Sequence, residues 1–131
     1  MGCDIDLYLE YKSPITREWE TFGYSYYIPR NYSMFAKMAD VRSKGHKAIF
    51  QPKGLPHDLS EYINEEYEKV KIYENCCHTP SWLSKKEFGI CIEAYDADAH
   101  MDILEYKAIL ASMTLFEEYK CDSRIVFWFC L

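Results

Sequence analysis

Asp4, Asp6 and Glu10 alternate along the segment Cys3 to Tyr11. A strand here sets these carboxylates and Tyr8 on one face, and Cys3, Ile5, Leu7, Leu9 and Tyr11 on the other. A row of like charges is stable only against something cationic, either a metal ion or arginines. Asp4 with Asp6 could hold a hard cation such as Mg²⁺, with water and ligand phosphates completing its shell. The alternative is ion pairing to Arg30, Arg42 or Arg124. Glu10 stands roughly 13 Å from Asp6 at strand rise, too far to share the same ion.

Two further groups could do chemistry. Arg30-Asn31-Tyr32 precedes a helix in which Phe35, Met38, Ala39 and Arg42 recur at helical spacing, so Arg42 falls on its buried stripe. Arginine in such a place takes a carboxylate or a phosphate in bidentate geometry. If Arg30 and Arg42 face one pocket, the helix start adds its amides to an anion site; otherwise Arg42 pairs with Asp4 or Asp6. The third group is His78-Thr79-Pro80-Ser81-Trp82, where Trp82 could stack a base while the histidine and hydroxyls bind its edge. The other fate of Trp82 is a core plug. No glycine-rich elbow surrounds Ser81, so it is not read as a nucleophile.

The elements that must position these residues follow from periodicity and punctuation. Ile15 to Tyr27 reads as a hairpin partner of the first strand, with a bulge at Gly23. Asn31 or Ser33 caps a helix to about Ser43, and Ala48 to Pro56 is a loop. Asp58 to Glu61 forms a capping box for a helix to about Tyr73, with Leu59, Ile63, Tyr67 and Val70 inside. Asn75 to Leu83 reads as irregular. Ser84 to Glu87 is a second capping box, opening a short helix weakened by Gly89. The longest helix runs from Asp96 or Asp98 to about Tyr119. Its main stripe is Met101, Leu104, Ala108, Ala111 and Leu115, widened by Ile103, Ile109, Leu110 and Phe116, which calls for burial against the sheet and either other helices or a second subunit. Arg124 to Cys130 is apolar on both faces, as a central strand beside the first is. The expected architecture is a single α+β domain: a small antiparallel sheet, N-terminal hairpin plus C-terminal strand, with about four helices packed on one face.

Composition narrows the partners. The 131 residues carry a net charge of −6 with no basic run, which argues against duplex nucleic acid and anionic membranes. Aromatics make up 17% of the chain, twelve of them tyrosine, which suits ring-shaped ligands and subunit contacts as well as ordinary packing. Six cysteines without a C-x-x-C pair or a secretory leader indicate free thiols in a reducing cytosol. Cys76-Cys77-His78 lacks a second ligand pair for zinc, so no cofactor is expected, Mg²⁺ entering only if the chain is a hydrolase. His46, His57 and His100 sit in polar surroundings and are assigned nothing. Asp6 stands where a myristoylation motif needs Ser or Thr, and no apolar run reaches membrane-spanning length.

Met1-Gly2-Cys3-Asp4-Ile5, Arg30-Asn31-Tyr32 with Phe35, Val41-Arg42, Gly54-Leu55-Pro56 with Asp58 and Ser60, and His78 with Ser81-Trp82-Leu83 lie in an order that resembles small phage-encoded proteins of the "GCDIH" type. The chain departs from them at Asp6, where the family has histidine. The resemblance implies a phage context and no established enzyme activity. Small acidic phage proteins often counter bacterial immunity, several by sequestering nucleotide-derived signals such as cyclic ADP-ribose isomers or cyclic oligonucleotides. The expectation is therefore a homo-oligomeric sponge in the cytoplasm of an infected bacterium, not an enzyme. Arg30 and Arg42 hold phosphates, Trp82 and Tyr32 stack a base, Asp4 or Asp6 takes ribose hydroxyls, and Asn31, His78 and Ser81 complete the set. The alternatives are a metal-dependent phosphodiesterase using Asp4, Asp6 and His78, and an inhibitor that binds a host protein through its tyrosine-rich surface.

Overall fold

A computed structural model describes residues 2–73, 76–98 and 102–131. Four strands, β1 (Asp4–Lys12), β2 (Trp19–Tyr26), β3 (Cys77–Ser84) and β4 (Ser123–Cys130), form one antiparallel sheet in the order β2-β1-β4-β3. Four helices accompany them: α1 (Tyr32–Ala39), α2 (Glu61–Tyr73), α3 (Lys85–Asp98) and α4 (Leu104–Glu118). The fold is thus α+β, with the N-terminal hairpin and the C-terminal strand at the heart of the sheet. β4 is central and buried from Arg124 to Phe129, as its two-faced apolar sequence requires. The hairpin carries its bulge between Leu7 and Leu9, with Gly23 at φ 72 on the partner strand.

The alternation in β1 divides two cores. Cys3, Ile5, Leu7 and Leu9 join Ile125, Phe127 and Phe129 under α1, α3 and α4, while Tyr8 joins Val126 and Trp128 under Ile63, Tyr67 and Val70 of α2. Helices therefore cover both faces, correcting the expectation of one. The acidic face of β1 has enough apolar neighbours, Tyr8 above all, to need a lid of its own.

Five other expectations are corrected. The segment read as irregular contains β3; Pro80 and the polar residues disguised it, yet an edge strand tolerates proline because its outer N–H has no ladder to join. α1 stops at Asp40, whose φ of 57 is a left-handed cap, so Arg42 lies beyond the helix rather than on its stripe. Asp58 does not close a capping box: α2 begins at Glu61 and its ladder opens from the Ser60 carbonyl, so Asp58 lies ahead of the cap position, where its Oδ1 accepts from Arg124. The single long helix is two: residues 96–98 end α3, which Gly89 does not shorten, and Ile103 (φ −124, ψ 52) precedes α4. Expectations for Asn75, His100 and Met101 lie outside the described residues. α4 is also turned from its expected setting. Tyr106, Ile109 and Met113 are buried, and Leu104 and Leu115 are 63% and 56% exposed, because the bulky stripe that includes Tyr106 wins the core.

Candidate functional site

The three carboxylates of β1 each have their own partner. Asp4 accepts from Arg30 Nε at 2.5 Å and Nη2 at 3.3 Å on an open surface, and the guanidinium holds its carboxyl below the usual carboxylate range. Gly2 makes room for this pair, since a side chain there would collide with the guanidinium. Asp6 accepts from Trp128 Nε1 at 2.9 Å and lies 3.5 Å from Cys130 Sγ. Glu10 is fully buried, takes Arg124 Nε at 2.5 Å and the Ser60 N–H at 2.7 Å, and so ties β1 to β4 and to the start of α2. Among the described residues no group of three or more His, Cys, Asp and Glu side chains is arranged to hold a metal ion.

Beyond Glu10 the sheet ends in a row of aromatic and cationic side chains. Trp19 faces Lys12 across the hairpin, Arg124 faces Glu10, and Ser84 faces Arg124, all on the α2 side of the sheet. The Arg124 guanidinium lies 3.9 Å from the Trp19 ring centre and 5.7 Å from that of Trp82. Two of its remaining donors go to Asp58, Nη1 to Oδ1 at 2.9 Å and Nη2 to the carbonyl at 3.3 Å. Burial works against the charge on Asp58, but Arg124 outweighs it and keeps that carboxyl low.

The loop before α2 is pinned over this row. The Lys53 N–H donates to buried Ser81 Oγ at 2.9 Å and the Gly54 N–H to the Pro80 carbonyl at 3.0 Å. That anchorage sets Lys53 Nζ 3.9 Å from the Trp82 ring centre, a cation–π contact. The ammonium also meets Glu87, which closes the second capping box: Glu87 accepts the Ser84 N–H at 2.9 Å while its own N–H donates to Ser84 Oγ at 3.2 Å. Burial opposes the charge on Glu87, and Lys53 with the Ser84 amide overcomes it. The result is a cavity of about 740 Å³ between Trp19 and Trp82. Five cations line it, Lys12, Lys53, Lys85, Lys86 and Arg124, against three carboxylates, Asp58, Glu117 and Asp122. On a chain of net charge −6 this lining is locally positive.

A second cavity, of about 640 Å³, lies at the start of α1, near the other end of β1. Arg30, Asn31 and Tyr32 line it, with Lys37, His46, Lys47 and Asp98. Asn31 is the helix cap: Oδ1 accepts the Met34 N–H at 3.1 Å and Nδ2 donates to Tyr95 Oη at 3.0 Å. Tyr32 Oη accepts the Cys3 N–H at 3.1 Å, and Arg42 lies over the Tyr32 ring at 5.2 Å.

The residues expected to form one pocket are therefore distributed over the sheet. Arg30, Asn31 and Tyr32 share the α1 cavity, Asp4 engages Arg30 beside it, and Arg42 stacks on Tyr32. Trp82 lines the other cavity; it pairs with Val126, which pairs with Tyr8, so it stands about 13 Å along the sheet from the level of Asp4. Ser81 is buried as an anchor for the loop, and Asp6 is bonded within the α2-side core. His78 stacks on Phe129, on the face opposite Asp6; its Nδ1 meets Thr79 Oγ1 and its Nε2 is buried without a partner. Sequence reasoning missed Lys12, Trp19, Lys53, Lys85, Lys86 and Lys37 as cavity residues. A hairpin register would have set Trp19 against Lys12. Lys37 could have been found from α1 itself, where Met-Phe-Ala-Lys-Met-Ala leaves no polar face for it. Lys53 gave no signal, because its place depends on a loop crossing to β3.

No protein-family model, no curated protein and no solved structure matches the chain. Among the described residues no helix is long and apolar enough to cross a membrane.

Proposed function

We propose that this protein is a phage-type anti-defence sponge, which binds a nucleotide-derived signal in the Trp19–Trp82 cavity and holds it uncleaved in the host cytoplasm. The observation that carries the reading is the row Trp19, Arg124, Trp82 beneath a rim of lysines. Indoles offer base-stacking area worth about 1–3 kcal/mol per base, and lysines offer phosphate contacts. A base entering over Trp82 takes the place of the Lys53 ammonium, which then turns to the ligand's phosphate. The cavity volume suits one or two nucleotide units. Cyclic ADP-ribose isomers and cyclic oligonucleotides have this chemistry. The hydrolase alternative, with Asp4, Asp6 and His78 acting together, is the weaker reading, since the sheet separates His78 from Asp6.

Homo-oligomerisation belongs to the same proposal. Leu104, Ala108, Ala111 and Leu115 lie exposed along α4 in a spacing symmetric about its midpoint. An antiparallel second copy would set Leu104 on Leu115 and alanine on alanine, the self-complementarity of a two-fold interface. Light scattering tests it: a dimer that Leu115→Glu converts to monomer supports it, and a monomeric parent chain overturns it.

The ligand test is a titration with cyclic dinucleotides and cyclic ADP-ribose isomers, followed by tryptophan fluorescence, with denaturation and chromatography of the released ligand. Quenching and intact ligand support sequestration. Product beyond one equivalent makes the protein an enzyme, and the absence of any nucleotide response leaves the host-protein inhibitor in its place.

A further inference from the structure

Lys37 is the one buried lysine among the described residues, 3% exposed, in the last turn of α1, where its neighbours from Met34 to Ala39 are all buried and apolar. Buried lysine is normally paired with an opposite charge, because an ammonium taken out of water without one is costly. Here Nζ donates at 3.0 Å to Ser33 Oγ, a neutral hydroxyl one turn earlier, and among the described residues no carboxylate lies within ion-pair distance. Its titratable neighbour on α3 is Cys91, whose thiol is pushed up to about 12 by burial and so stays neutral. Glu87, one turn before Cys91, is occupied by Lys53 and Ser84. Among the described residues no counter-charge pairs with this ammonium.

The space beside it is built for one. Lys37 and Ser33 line the α1 cavity together with Arg30, His46 and Lys47, and among the described residues the only carboxylate in that lining is Asp98. The hydrogen-bond ladder of α1 begins with Met34 and Phe35, both bonded to Asn31, so the amides of Tyr32 and Ser33 stand ahead of it at the positive end of the helix. We propose that the α1 cavity is a second ligand site, in which a phosphate-class oxyanion sits against the Lys37 ammonium and Ser33 hydroxyl, with Lys47 and Arg30 at its mouth. The site is separate from the tryptophan cavity and does not depend on what that cavity binds. The anion is either free inorganic phosphate or the phosphoryl end of a larger molecule whose organic part lies against Tyr32 and Tyr95.

The test uses the full chain and two probes, inorganic phosphate and ribose 5-phosphate, read by thermal shift and calorimetric titration. Both probes are expected to raise the melting temperature, and tighter binding of ribose 5-phosphate assigns the larger ligand, equal binding the free ion. Lys37→Met, nearly isosteric and free of the charge, should weaken phosphate binding about tenfold or more. It should leave nucleotide quenching of the tryptophans unchanged. Exposed Lys47→Ala should weaken phosphate about threefold and decides the matter if Lys37→Met does not fold. No response to either probe, or full affinity in the folded Lys37→Met chain, overturns the site.

Discussion

Asp4 and Glu10 stand on the same face of the same strand, and each holds an arginine Nε at 2.5 Å, yet the two pairs have different physical roles. The side chains of Arg30 and Asp4 are 55% and 61% exposed; those of Arg124 and Glu10 are 5% and 0% exposed. Water screens the first pair and offers both partners an alternative. The second has no alternative, so its desolvation must be offset by further bonds, and these come from the Ser60 amide, Asp58 and the Trp19 face. A carboxylate and an arginine at contact distance do not by themselves mark a site. Burial and the groups around them decide whether they serve as a surface contact or as the floor of a cavity.

The sharpest way to break this contrast is Arg124→Met. It strands Glu10 in the core and should cost about 3–5 kcal/mol in urea unfolding, with Glu10→Gln added to it recovering most of the loss. Next in size is Trp82→Ala, expected to weaken nucleotide binding by about 1–3 kcal/mol in fluorescence titration, while Arg30→Ala leaves that binding unchanged. Ser84→Ala removes one half of a reciprocal cap at the cavity edge and should cost about 1 kcal/mol of stability.

Acid and salt separate the ends again. Asp58 and Glu87 have folded values below their unfolded ones, so their stabilisation is complete above the ordinary carboxylate range and is lost as pH falls through the lowered folded values. Acid unfolding should therefore be shallower in an Asp58→Asn, Glu87→Gln chain. By NMR titration, about 1 M salt should return Asp4 toward its ordinary value while Asp58 and Glu87 hold theirs. The smallest effect is that of Asp4→Ala, expected to leave the urea midpoint unmoved.

Much of the fold was legible because its signals are local or periodic. The alternation of β1, the bulge opposite Gly23, the inner stripe of α2, the Ser84–Glu87 box and the two-faced apolar run of β4 all appear where their patterns point. β3 was hidden because a proline and polar residues suit an edge strand as well as a loop. The orientation of α4 was hidden because Leu104 and Ile109 offer rival stripes, and only the packing of Tyr106 decides between them. The cavities were less legible. Each is assembled from segments far apart in sequence, and the constellation read as one pocket mixed residues from both ends of β1. Arginine and tryptophan near carboxylates are legible as types; the lysines were not foreseen, and the grouping required the register of the sheet.

That register has a consequence for how the chain is made. The central pairing of the sheet joins Asp4 to Cys130, nearly the full length of the sequence apart. A chain emerging at roughly 5–20 residues per second leaves one edge of β1 without its partner for roughly ten seconds before β4 follows it. Until then the core that Cys3, Ile5, Leu7 and Leu9 share with the helices lacks Ile125, Phe127 and Phe129. Folding should be governed by this one long closure rather than by the helices, with refolding slow for a domain of this size. Nascent chains short of β4 should be the species that chaperones hold.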